Sequence, residues 1–239
     1  MVDEETSSGV VPAGWQKKAD QLIQFVVNAG LDGAGPWKGA QDVADEILAT
    51  ARTREQAVDR LVATHMRMVT ASGFLAGLGG LITLPVTVPA DLSAFYVLST
   101  RMVGGIAYLN GYDIATEEVR SVVLVSLIGA GGTSLLAEAG VQLGTKAAKA
   151  ALKQVPGKIL QGINRQVGFR LITKAGTTGV VNMSKMVPLV GGVAGAGINF
   201  AGIKATAAHA RHNFVYVADA SEDGEEAPTV SGPCSRTGR

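Results

Sequence analysis

His209 and His212 stand one helical turn apart, a spacing that could hold a transition metal if a third ligand joined them. No Cys, Asp or Glu lies near them in sequence, so they are expected to be surface or cap histidines, and no metal is expected. Nucleophilic chemistry finds no frame either. No serine sits in a Gly-x-Ser-x-Gly elbow. The pair Gly157-Lys158 is followed by Ile159 and lacks the upstream glycine of a phosphate-binding loop. The glycine run from 191 to 202 follows no predicted strand, so a dinucleotide site is not expected and no cofactor is implied. Asp91 and Asp113 are the acids best placed beside apolar segments, and helix capping accounts for both. Asp91 could also reach Arg101, about 80° round the same helix. His65 reads as a satisfied helix residue. No catalytic residue is predicted, and the chain is expected not to be an enzyme.

Cations remain, and their distribution is uneven. Residues 1–138 hold 9 Lys/Arg and 15 Asp/Glu, whereas 139–218 hold 10 Lys/Arg and no acid. The final 21 residues add 2 bases and 5 acids, which brings the chain to a net +1. The ten bases are Lys146, Lys149, Lys153, Lys158, Arg165, Arg170, Lys174, Lys185, Lys204 and Arg211. An anionic surface is their natural partner, unless the acidic first half balances them within the fold. Nucleic acid is disfavoured, because Phe169 is the only ring between Lys146 and Lys185. Anionic lipid fits best, and an acidic protein surface, such as a transporter's cytoplasmic component, comes second. On a helical wheel Lys146, Lys149 and Lys153 share one face, opposite Ala148, Leu152, Val155 and Ile159. The expected membrane-binding set is Lys146, Lys149, Lys153, Lys158, Arg165, Arg170 and Lys174.

Helices must position these groups. Apolar spacing predicts a helix from Trp15 to Ala29, ended by Gly30 and a turn through Gly33, Gly35 and Pro36. A short amphipathic helix covers Asp42 to Ala51. Thr53 with Gln56 forms a capping box for the next helix. A segment punctuated by Gly and Pro runs from Ser72 to Ala90. Asp91 then caps a helix that Asn110-Gly111 ends. Thr116, followed by Glu117 and Glu118, begins a helix towards Gly140. A basic helix pair interrupted at Pro156 follows, and a last helix spans Pro188 to Phe214. No alternating run with hairpin turns appears, so strands are not expected.

Three stretches carry no charge: Met68 to Ala90, Ser121 to Ala137 and Met186 to Ile203. Pro85, Pro89 and four glycines interrupt the first, and the others are short for a bilayer-crossing helix of about 20 residues. Buried core helices, or helices dipping into one leaflet, are therefore expected. Gly73 with Gly77, Gly191 with Gly195 and Gly192 with Ala196 repeat small-xxx-small, a spacing that lets helix backbones approach closely. Apolar residues make up 47% of the chain and charged ones 17%, with mean hydropathy +0.25. The balance lies between a water-borne domain and a polytopic membrane protein. The first twenty residues hold no apolar signal core, and Cys234 is the only cysteine. A cytoplasmic protein, peripheral at the inner face of the membrane, is expected. Residues 1–12 read as a flexible N-terminus, 13–218 as one helical domain and 219–239 as a disordered acidic tail.

Three stretches carry a resemblance to a known family. The first, Gly80 to Leu92, contains Pro85, Pro89 and Asp91. The second, Tyr108 to Asp113, contains Gly111, Tyr112 and Asp113. The third, Val187 to Phe200, contains Pro188, Gly191, Gly192, Gly195, Gly197 and Asn199. In their order and spacing they resemble the EcsC family, over roughly Ala13 to Phe214. The resemblance implies a helical, membrane-associated protein encoded beside an ABC transporter pair, and it carries over no catalytic residue. The combined expectation is an all-α bundle of roughly seven or eight helices with Gly-rich helices at its centre. Its expected function is peripheral membrane or lipid binding, accessory to a transport or envelope system. The alternatives are an enzyme on lipid substrates with a site assembled only in three dimensions, and an adaptor for an acidic protein.

Overall fold

Two glycines decide how two of the bundle's three longest helices meet. A Cβ on Gly73 would come within 2.6 Å of the Gly195 carbonyl oxygen, and one on Gly195 within 2.4 Å of that of Gly73. Only residues without a side chain allow this backbone contact. In the computed structural model, which describes residues 13–78, 80–138, 140–145, 147–179 and 188–216, the contact joins α3 (Arg54–Leu78) to α9 (Pro188–Asn213). The helices run antiparallel: Asn199 Nδ2 donates to the Val69 carbonyl at 3.2 Å, and Arg211 pairs with Asp59 at 2.6 Å.

The remaining elements are α1 (Ala13–Val27), α2 (Ala40–Thr50), α4 (Gly80–Leu109), α5 (Glu117–Ile128), α6 (Ala130–Glu138), α7 (Ala148–Leu152) and α8 (Gly157–Gly179). The architecture is all-α. Among the described residues there is no strand, only an isolated bridge between Ala34 and Trp37. The core gathers Leu61, Met102, Ile106, Leu124, Leu136, Leu160, Leu171 and Ile203, drawn from α3, α4, α5, α6, α8 and α9. The window Leu92–Leu109 of α4 is long and apolar enough to cross a membrane, with mean hydropathy 1.2, yet 72% of it is buried within the bundle. Its apolar residues make core contacts.

Several boundaries differ from those read in sequence. Gly30 does not end the first helix, which continues into a π-helical turn, Asn28–Asp32, and stops at Gly33 with φ 85°. Gly30 serves a contact instead, since a Cβ there would lie 2.8 Å from Thr100 on α4. Thr53 caps α3 as expected by accepting from Gln56 N at 3.1 Å, but the Gln56 side chain accepts from Arg52 N and not from Thr53. Asp91 is not an N-cap. α4 begins at Gly80 and passes through Pro85 and Pro89. A proline removes one donor and crowds one carbonyl, a local penalty that packing against α2, α3, α5 and α9 can outweigh. The side chains of Pro85, Pro89, Asp91, Pro188 and Gly191's immediate surroundings, like the Asp91–Arg101 pairing, lie outside what is described.

The helix expected from Thr116 to Gly140 is two helices, because Gly129 takes φ 71° and breaks it into α5 and α6. The basic pair is also shorter than the wheel assumed. α7 spans five residues, Lys153 is its C-cap, and α8 starts afresh after Pro156. Ile159, expected on α7's buried face, stands on α8 and is exposed. A bundle of seven or eight helices thus becomes nine among the described residues.

Candidate functional site

From Met68 to the end of α3 no residue is charged, and the same holds from the start of α9 to Ile203. Because the helices are antiparallel, these halves lie side by side. Their outward positions are not polar. Leu75 is 67% exposed, Val193 66% and Ile198 64%, joined by Met68, Phe74, Leu78 and Phe200. Single exposed apolar residues are ordinary, but seven on two touching helices make a patch of the kind that marks an interface. A groove of about 460 Å³ opens within it, lined by Met66, Arg67, Thr70, Ala71, Phe74, Ala196 and Phe200. Exposed cations border the patch where charge resumes: Arg67 on α3 and Lys204 on α9.

The predicted cationic set is only partly assembled. Lys146 lies outside the described residues, as does the side chain of Lys174. Lys149 does not project into solvent as the wheel required. Its ammonium donates to the Gly111 carbonyl at 2.6 Å and lies 5.7 Å from the Tyr112 ring centre. Arg170 donates to the Gly131 carbonyl at 2.6 Å, joining α8 to α6. Lys153, Lys158 and Arg165 are exposed, and the last two share a stripe of α8 opposite Leu160, Ile163 and Val167. Among the described residues, Lys149 and Lys153 do not share an exposed face. What remains is a short basic stripe.

The motif residues act as joints. Asn110 donates to the Phe214 carbonyl at 2.7 Å and accepts from Arg54, whose guanidinium lies 3.6 Å from the Tyr216 ring centre. Gly111 takes φ 81°, and buried Tyr112 meets Phe214 edge to face at 5.1 Å. Burial pushes the Tyr112 phenol above its ordinary value. Asp113 closes the turn before α5, accepting from Ala115 N at 2.9 Å. These contacts fasten α9's C-terminus to the end of α4. In the third motif, Gly192 packs under Phe74 and Leu78, Gly195 meets Gly73, and Asn199 reaches Val69, whereas Gly197 touches nothing within 4 Å of a virtual Cβ.

Reactive groups do not converge. Among the described residues, no group of three or more His, Cys, Asp or Glu could hold a metal. His209 lies against Gly129 and His212 against Gly144, both glycines with positive φ, so the pair packs on two turns. His65 is buried on α3, its Nδ1 facing the Leu61 carbonyl at 2.9 Å. Burial pulls it down to about 4, the backbone hydrogen bond raises it in part, and the charge of Arg101 lowers it further. Arg101 on α4 is itself only 6% exposed; among the described residues Nε and Nη2 meet no hydrogen-bond partner, and Trp37's ring centre is 5.9 Å away. Neither His65 nor Arg101 lines the groove. The exposed residues Leu75, Val193 and Phe200, and the cations Arg67 and Lys204, escaped sequence reasoning as a site. The signal was two uncharged runs, and the missing fact was that they are neighbours.

The fold and its surface define an α-helical bundle with an exposed apolar face between two helices crossing at glycine. The EcsC protein family model matches residues 4–216, and the chain belongs to that family. No curated protein and no solved structure matches it.

Proposed function

We propose that this chain is a peripheral membrane protein that docks on anionic bilayers, accessory to a transport or envelope system at the cytoplasmic face. The observation that carries the reading is the exposed apolar patch of α3 and α9, bordered by Arg67 and Lys204. A water-borne surface gains nothing from exposing Leu75, Val193 and Ile198 together, whereas an interface recovers their burial. Charge points the same way. Residues 139–218 contain no carboxylate, and Lys153, Lys158 and Arg165 add exposed cations. Each Lys or Arg near an anionic leaflet contributes roughly 1 kcal/mol, and salt screens it over about 8 Å.

Co-sedimentation with vesicles tests this. The protein is expected to partition onto vesicles containing anionic phospholipid, bind neutral vesicles more weakly, and lose the difference as salt rises. Absence of binding to anionic vesicles at low salt would overturn the reading and favour an acidic protein partner for the same cations.

A further inference from the structure

Three uncharged helix ends meet at one pole of the molecule. α3 runs uncharged from Met68 to Leu78, α4 starts two residues later and is uncharged to Ala90, and α9 is uncharged from Pro188 to Ile203. Chain continuity places the start of α4 beside the end of α3. The Gly73–Gly195 contact and the Asn199–Val69 hydrogen bond place the start of α9 there too. The pole has a sharp lower edge. Arg67 is the last charge on α3, Lys204 the first on α9, and Asp91 the first on α4.

We infer that this pole inserts into the acyl region of a single anionic leaflet, with Arg67 and Lys204 held at the headgroup phosphates; the inference rests on the membrane reading above. Depth is the first argument. The eleven residues from Met68 to Leu78 rise about 16 Å along a helix, and those from Gly80 to Ala90 rise about the same. One leaflet of a hydrocarbon core of roughly 30 Å is about 15 Å deep. The uncharged runs of α3 and α4 are long enough to fill one leaflet, and even that of α9, about 24 Å from Pro188 to Ile203, is too short to cross two. Satisfaction of the backbone is the second. Helices carry their own hydrogen bonds into lipid, and the α3–α9 crossing at paired glycines is the packing that lipid favours. Charge is the third. The border residues on α3 and α9 are cations on long stems that can stay at the interface while the helices below them enter. A second copy of the chain, covering the patch by apolar contact alone, would leave Arg67 and Lys204 without anionic partners in the complex.

Site-specific fluorescence in the full chain distinguishes depth from mere docking. In a Cys234→Ser background, an environment-sensitive dye is attached to Leu75→Cys, Val193→Cys or, as a control, Glu55→Cys, an exposed position of α3 about 18 Å below Arg67. With anionic vesicles, the dyes at 75 and 193 are expected to shift to the blue and be quenched by lipids carrying quenchers in the acyl chains, while the dye at 55 stays unchanged. Arg67→Gln with Lys204→Gln is expected to weaken partitioning about thirty-fold at low salt, from two cations at roughly 1 kcal/mol each. Vesicle binding without acyl-chain quenching at 75 and 193 would overturn the insertion and leave the docking reading standing. Failure to bind vesicles would remove both. Burial of the dyes at 75 and 193 in vesicle-free solution, scaling with protein concentration, would assign the pole to a second copy and overturn the insertion.

Discussion

His65 is a buried base whose charge the fold excludes, and this fixes the sign of a pH effect. Its folded pKa, about 4, lies below the ordinary histidine value of 6.5. The unfolded chain therefore takes up a proton that the folded chain refuses between pH 6.5 and 4, so stability present above 6.5 drains away as pH falls through that window. The full difference is about 3 kcal/mol. Thermal unfolding at pH 4.5 should thus lie on the order of 5–10 °C below that at pH 7 on this account, and His65→Gln should flatten the slope in that window. An unchanged slope in the variant would move the effect elsewhere. Arg101 gives a second test. A buried cation with two nitrogens that meet no hydrogen-bond partner among the described residues is destabilising, and an apolar residue of similar length removes the desolvation penalty. Arg101→Met is expected to raise unfolding free energy by about 1–2 kcal/mol in denaturant titration; a loss of that size would mean the guanidinium has a stabilising role.

Glycines show at the level of elements why similar residues have opposite roles. Gly195 and Gly197 are two apart on α9, and sequence alone treats both as part of one small-residue motif. A Cβ on Gly195 collides with α3's backbone, whereas one on Gly197 meets nothing within 4 Å. Gly195→Ala is expected to destabilise by about 1–3 kcal/mol through overpacking, and Gly197→Ala to stabilise by about 0.5–1 kcal/mol through helix propensity. Opposite shifts in Tm check the pair; equal shifts would contradict the crossing. The same contrast explains what was legible. Thr53, Asn110-Gly111 and Pro156 carry their signals within a few residues, so the boundaries they predict are observed. Gly30, Asp91 and Gly129 take roles that their local spacing does not show, because those roles depend on the folded chain: Thr100 for Gly30, the packed length of α4 for Asp91, and a positive φ between α5 and α6 for Gly129. Lys149 belongs with them. Its spacing placed it on a solvent face, but a carbonyl 38 residues away claims it.

For the whole molecule, the sequence showed that apolar and basic surface exists but not where the two meet. Uncharged runs at 68–90 and 186–203 were plain, and their adjacency came only from the antiparallel contact of α3 with α9. That contact moves the centre of the proposed site from Lys146, Lys149 and Lys153 to the apolar pole. Leu75 and Val193 are 67% and 66% exposed, so replacing both with Asp should leave the unfolding temperature nearly unchanged. In a bilayer the same change removes two buried apolar side chains, worth about 3 kcal/mol together, and sets two carboxylates against lipid. The decisive measurement is therefore the partition coefficient of Leu75→Asp, Val193→Asp on anionic vesicles at low salt, read beside its melting curve. The account predicts wild-type melting with partitioning reduced by about a hundredfold or more; wild-type partitioning by the folded double variant would contradict it.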